Sequence, residues 1–105
     1  MDLEEVEKNI QNELGVMLYF SNDNCNVCKA LKPKLHEEFN KNFPKIKIIN
    51  IDNIKNPEIA SYYNVFSIPT TIIFLDSKEF ERVGRNISIA GLIHKISRLY
   101  KMLIE

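Results

Sequence analysis

Two cysteines, as Cys25-Asn26-Val27-Cys28, sit where the hydrophobic pattern of the chain changes period. Before them, Val16-Met17-Leu18-Tyr19-Phe20 is continuously apolar and reads as a strand buried on both faces. After them, residues 29–42 suit a helix with Leu31, Leu35 and Phe39 on one face. Ser21-Asn22-Asp23-Asn24 between strand and helix is rich in residues that cap helices. The chain must therefore fold so that a buried strand delivers a pair of thiols to a helix start. Two sulfurs on one helical turn can open and close a disulfide, which makes thiol–disulfide exchange the leading chemistry.

The remaining elements follow from caps and periodicity. Asp2 caps a first helix with Leu3, Val6, Ile10 and Leu14 as its stripe and Gly15 as its stop. Pro33 removes one backbone donor inside the second helix, so a kink is expected there. Ile46, Ile48, Ile49 and Ile51 mark a second strand. Asn56-Pro57 opens a short helix as an N-cap followed by proline at the first helical position. Thr70 to Leu75 is β-branched and apolar, and Asp76-Ser77-Lys78 turns it into a polar, alternating edge strand over 79–83. Ser88 caps a last helix whose stripe is Ile89, Ile93, Ile96, Leu99, Tyr100 and Leu103. The order α-β-α-β-α-β-β-α predicts a parallel first pair of strands, a hairpin for the last two, and helices on both faces of one mixed sheet.

A chain of 105 residues has room for one core, so a single domain over 1–105 is expected. The longest unbroken apolar run has five residues, far short of the roughly 20 that span a bilayer. The acidic, amphipathic start Met1-Asp2-Leu3-Glu4-Glu5 lacks the features of a signal peptide, and a cytoplasmic location is expected. In a reducing compartment a CxxC pair is more often catalytic or metal-binding than a structural staple. Six lysines fall within residues 29–47, but they lack accompanying arginines and stacked aromatics, so a solvated face is expected rather than a nucleic-acid site.

With these elements placed, the chain resembles the thioredoxin superfamily. The resemblance is carried by Cys25-x-x-Cys28 at the strand–helix junction, Pro33 eight positions beyond Cys25, and Asn50-Ile51-Asp52 closing the second strand. It continues through Ser67-Ile68-Pro69-Thr70 and Val83-Gly84, and spans residue 15 to the C-terminus. It implies a thioredoxin-like α/β fold with a four-stranded sheet, disulfide-containing protein substrates, and a thioredoxin-reductase-like electron donor. The reading includes no cofactor, no nucleic acid, no membrane and a monomeric state. The chain departs from the family in having Asn24 for the usual Trp and Asn26-Val27 for Gly-Pro. Tyr19 stands where the family has a buried Asp, and Ile48 where a Lys often accompanies it.

The thiolate is the attacking species, and the unpaired amides and dipole at a helix N-terminus favour it. Cys25, nearer the loop, is expected to be the exposed nucleophile. Cys28, roughly 4.5 Å further along the helix axis, is expected to resolve the mixed disulfide. Lys29 favours the anion and Asp23 opposes it. A spacer without proline or histidine points to a reducing rather than strongly oxidising couple. Tyr19, with an ordinary pKa near 10, is a poor base and is expected to pack in the core. The resemblance also implies a cis Ile68–Pro69 bond beside the cysteines, with the Ile68 backbone free to pair with an extended substrate. Phe66, Ile68 and Gly84 are candidates for an apolar docking rim, with Phe66 equally suited to the core.

Zinc is the obvious competitor for a CxxC pair, but a structural site needs four ligands. His36 lies eight residues beyond Cys28, roughly 12 Å along the helix, and His94 is on the final helix. Neither is expected to share an ion with the cysteines. The alternative to an enzyme is an adaptor or redox sensor of the same fold, switched by the Cys25–Cys28 disulfide.

Overall fold

The strand predicted from the run 16–20 is one of the two inner strands of the sheet, and six of its seven residues are buried. The computed structural model describes residues 1–104. In chain order the elements are α1 (Leu3–Asn12), β1 (Gly15–Ser21), α2 (Asn26–Asn42), β2 (Ile46–Asp52), α3 (Pro57–Tyr62), β3 (Thr70–Leu75), β4 (Lys78–Val83) and α4 (Ile89–Ile104). The strands lie in the order β2-β1-β3-β4. β1 runs parallel to β2, from Gly15 beside Ile46 to Ser21 beside Asp52. It runs antiparallel to β3, with Phe20 beside Thr70. β3 and β4 form the expected hairpin, closed by Asp76 and Ser77 at φ 53° and 68°. Positive φ at both central residues suits the right-handed twist of the strands. This is the mixed four-stranded α/β sheet that the order of elements implied.

Alternation along the strands builds two cores. Val16, Leu18 and Phe20 of β1, Ile49 and Ile51 of β2, and Ile72 and Phe74 of β3 pack under α1 and α3. Met17 and Tyr19, with Ile46, Ile73 and Leu75, pack under Leu35 and Phe39 of α2 and Leu92, Ile96 and Tyr100 of α4. Fully burying a side chain such as Leu35 or Phe39 stabilises the fold by roughly 1.5–3 kcal/mol. Tyr100 also accepts the Lys45 amide on its hydroxyl at 3.0 Å, which ties α4 to the start of β2. Among the described residues, no helix is long and apolar enough to cross a membrane.

The structure differs from these expectations at Gly15, Leu14 and Leu92. Gly15 does not stop α1, because the helix ends at Asn12 and the amide of Glu13, in extended conformation, bonds the Asn9 carbonyl. Gly15 instead begins β1, where a Cβ would meet Ile46 Cγ1 at 2.9 Å, Leu75 Cδ2 at 3.0 Å and the Phe74 carbonyl at 3.3 Å. Leu14, assigned to the α1 stripe, accordingly packs on the opposite core from Leu3, Val6 and Ile10. Asn56 is the N-cap of α3 and Pro57 follows it, as expected; the Asn56 side chain makes no cap bond and donates instead to the Asp52 carbonyl at 3.2 Å. Finally, Leu92 is the buried α4 residue absent from the predicted stripe.

Tyr63 is 9% exposed, and among the described residues its hydroxyl has no hydrogen-bond partner. Burial pushes its phenol up to about 12, with Glu7 and Tyr62 adding to the effect. The unfolded chain ionises near 10 while the folded one holds its proton, so stability present below that pH is lost as pH rises toward about 12. Tyr63→Phe is expected to flatten this alkaline loss. At neutral pH the same change is expected to be neutral or stabilising by up to about 1 kcal/mol, as urea titrations across the range would show. Gly15→Ala is expected to destabilise the fold by about 1–2 kcal/mol, read as a lower thermal midpoint, because Ile46 and Leu75 must shift to admit the methyl.

Candidate active site

β1 carries the chain to Ser21 at one end of the sheet, and the loop from 22 to 25 turns it into α2. Asn22 builds that turn by accepting the Asn24 amide on its side chain at 2.9 Å and the Cys25 amide on its carbonyl at 3.3 Å. Cys25 is then the N-cap of α2, in extended conformation, and its Sγ accepts the Cys28 amide at 3.2 Å. A sulfur thus occupies the place that Ser, Thr, Asp or Asn fills in most helices. No acidic residue lies in the first turn to compete with it. Cys25 is partly exposed while Cys28 is 1% exposed. The two form a disulfide with their Cα atoms 5.2 Å apart.

Three further segments converge on this end of the sheet. Pro69 immediately precedes Thr70, the partner of Phe20, and the Ile68–Pro69 peptide bond is cis. Thr70 donates its hydroxyl to the Ser67 carbonyl at 2.7 Å and braces the loop before the strand. The loop after β2 is joined here by the Asn53 amide, which donates to the Ser21 carbonyl at 2.9 Å. Gly84 follows Val83, which pairs with Thr71.

Phe66 is 87% exposed, so it is not a core residue. With Ser67, Thr70, Arg82, Val83 and Gly84 it lines a groove of about 280 Å³. Gly84 lies open, with nothing within 4 Å of a Cβ placed there. The side chain of Ile68 does not join that rim. It is partly buried and packs on the core under α1 and α3, so only its backbone stays with the loop. His36 bonds Asn50 Oδ1 through Nε2 at 3.1 Å. Among the described residues, no group of three or more His, Cys, Asp or Glu side chains is gathered as a metal-ligand set.

The thioredoxin sequence profile matches residues 1–98. The chain belongs to the thioredoxin family. It is 32% identical over 102 residues to the thioredoxin-like protein YdfQ of Bacillus subtilis, covering 95% of this chain and 88% of that one. It is 40% identical over 67 residues to a thioredoxin of Chlamydia trachomatis, covering 64% of this chain and 65% of that one. Among solved structures it is similar to thioredoxin 1 of Thermosipho africanus (TM-score 0.73, 40% identity, 86% of this chain and 99% of that one). It is also similar to a thioredoxin of Trypanosoma brucei brucei (TM-score 0.81, 26% identity, 95% and 87%). The fold is thioredoxin-like and the protein is a thiol–disulfide oxidoreductase.

The departures from the family now have a structural meaning. Tyr19 is fully buried, as expected, but its hydroxyl is not idle: it donates to the Cys28 carbonyl at 2.8 Å. Burial holds the phenol above its ordinary value, so it stays protonated and cannot serve as a base at neutral pH. The ring stands edge-on to His36, with centroids 6.1 Å apart. Burial lowers the His36 pKa, the Asn50 bond opposes that shift and Lys32 adds to it, which favours a neutral imidazole. Side chains from β2, α2 and β1 are thus joined in one series, Asn50 to His36 by a hydrogen bond, His36 to Tyr19 by an edge-on ring contact, and Tyr19 to the Cys28 carbonyl by a hydrogen bond. No sequence pattern signalled it, because Asn50, His36 and Tyr19 are far apart in the chain and meet only through the β1–β2 register. Tyr19→Phe keeps the ring and removes the bond, and is expected to cost about 1 kcal/mol in chemical denaturation of the oxidised protein.

Proposed function

We propose that the protein reduces protein disulfides by cycling Cys25 and Cys28 between dithiol and disulfide. The observation that carries this reading is the asymmetry of the pair. Cys25 is partly exposed, with its sulfur at the N-cap and bonded by an amide, while Cys28 is almost wholly covered. Amide donors and the helix dipole stabilise negative charge on the outer sulfur.

In the forward cycle the Cys25 thiolate attacks one sulfur of a substrate disulfide. The substrate S–S bond breaks, a Cys25–substrate bond forms, and the first substrate thiol leaves and takes up a proton. Cys28 then gives up its proton, and its sulfur attacks Cys25. The second substrate thiol departs and the Cys25–Cys28 disulfide remains. Two electrons have passed to the substrate. A thioredoxin-reductase-like donor returns them. Tyr19 is held protonated, so the Cys28 proton passes to the departing thiolate or to water.

Ile68 and Pro69 are the proposed docking residues. Their support is position: the segment precedes the strand paired with β1, at the sheet end from which the cysteine loop leaves. The Ile68 backbone would pair with an extended peptide by strand addition. A spacer with neither proline nor histidine favours a reducing potential. The reading is completed by a cytoplasmic, monomeric protein formed by a single domain over 1–105.

Cys25→Ser is expected to abolish turnover of an insulin-disulfide substrate with dithiothreitol or a thioredoxin reductase. Cys28→Ser is expected to accumulate a mixed disulfide between Cys25 and substrate, seen by mass spectrometry. Retained turnover in the first variant would remove Cys25 from its role, and no adduct in the second would remove Cys28 from resolution.

A further inference from the structure

The geometry points to Arg82 and Glu79 as positioning residues that hold the docking segment before Pro69 in place. This rests on the proposed docking role of that segment and adds the device that sets its position. α3 ends in a tight C-terminal turn. Asn64 lies in the left-handed region at φ 56°, its amide donates to the Ser61 carbonyl at 3.1 Å, and the Val65 amide donates to the Ala60 carbonyl at 2.8 Å. Asparagine tolerates that backbone conformation better than most residues. Such a turn settles some of the last helical carbonyls and leaves those at its tip without a backbone partner.

Arg82, across the sheet on β4, supplies that partner. Its Nη1 donates to the Tyr63 carbonyl at 2.7 Å and the Asn64 carbonyl at 3.3 Å. The other edge of the guanidinium is held by Glu79 in a two-point pair, Nε to Oε2 at 3.1 Å and Nη2 to Oε1 at 2.9 Å. The planar fork is thereby fixed in orientation, which a lysine ammonium does not reproduce. An isolated exposed ion pair contributes little. Here the pair serves to aim a donor at two carbonyls that have no other hydrogen-bond partner among the described residues.

The consequence falls on residues 65–69. At one end the loop is tied to β4 through Arg82. At the other, Thr70 pairs with Phe20 and its hydroxyl holds the Ser67 carbonyl at 2.7 Å. Between these ties Phe66 stands 87% exposed over the groove that Arg82, Val83 and Gly84 line. Arg82 touches neither cysteine, so it acts through the segment it restrains and not through the sulfur chemistry.

The test compares wild type with Arg82→Gln, Arg82→Lys and Glu79→Gln, on insulin as the protein disulfide and on a small aryl disulfide that needs no docking surface. Arg82→Gln is expected to raise KM for insulin roughly tenfold with little change in kcat, and to leave the small disulfide unaffected. Arg82→Lys is expected to fall short of rescue, and Glu79→Gln to give a smaller rise in KM. Amide hydrogen exchange supplies a readout independent of activity. Residues 65–68 are expected to exchange faster in Arg82→Gln while β1 does not. Unchanged exchange in that segment would overturn the clamp. Faster exchange with an unchanged KM for insulin would instead overturn docking on the segment, and the inference with it. Equal losses on both disulfides would assign Arg82 to general stability and would also overturn it.

Discussion

The whole arrangement depends on β1 being hydrogen-bonded on both edges and covered on both faces. Its parallel pairing with β2 and antiparallel pairing with β3 mean that the end of β1, the end of β2 and the start of β3 share one pole of the sheet. The cysteine loop, the loop at 53–56 and the segment before Pro69 are distant in sequence, yet each leaves or joins the sheet there. A one-residue slip would exchange Tyr19 with Phe20 between the two cores and carry the cysteine loop with it. The burial of alternate residues on each face opposes such a slip. The site is therefore positioned by packing well before any contact among the cysteines themselves.

At that pole the local chemistry is simple. A helix start needs an acceptor for its free amides, and Cys25 supplies one through sulfur. The dipole that would otherwise be quieted by an oxygen is presented to a group that reacts. The family's buried acid is replaced by a phenol that donates rather than accepts, with a neutral-leaning imidazole beside it. A phenol that burial keeps protonated thus lies against the Cys28 carbonyl in place of a carboxylate. Of the groups described, the helix terminus is the one placed to favour a thiolate on Cys25.

Much of this was legible in the residues because short-range rules and long-range packing agree. The isoleucines of β2 at 46, 48, 49 and 51, the proline at the start of α3, the Ser88 cap and the apolar run at β1 each predicted an element that formed. The Ser88 hydroxyl accepts the Gly91 amide at 3.1 Å, as a cap should. The failures were of another kind. Glycine often stops a helix, but the role of Gly15 is to let two flanking strands approach. The bond from Tyr19 to a backbone carbonyl, the Asn50–His36 contact and the reach of Arg82 to Tyr63 and Asn64 join positions separated by nine to nineteen residues. Neither composition nor periodicity records such pairs, because they arise from register and side-chain reach. Arg82 in particular looked like one more polar residue on an alternating edge strand.

At the opposite pole, the β3–β4 turn is fastened to the start of the fold. The Ser77 hydroxyl donates to the Ile10 carbonyl at 3.2 Å, and the Asp76 amide donates to the Leu14 carbonyl at 2.9 Å. The last hairpin thereby closes over the N-terminal helix and joins sequence-remote halves of the molecule into one cooperative body. Among the described residues, no such hydrogen bond joins the start of α2 to the segment before Pro69. Anchorage and chemistry are thus assigned to opposite ends of the same strands, and the exposed Asn26-Val27 spacer can differ from Gly-Pro without loosening the frame that holds it.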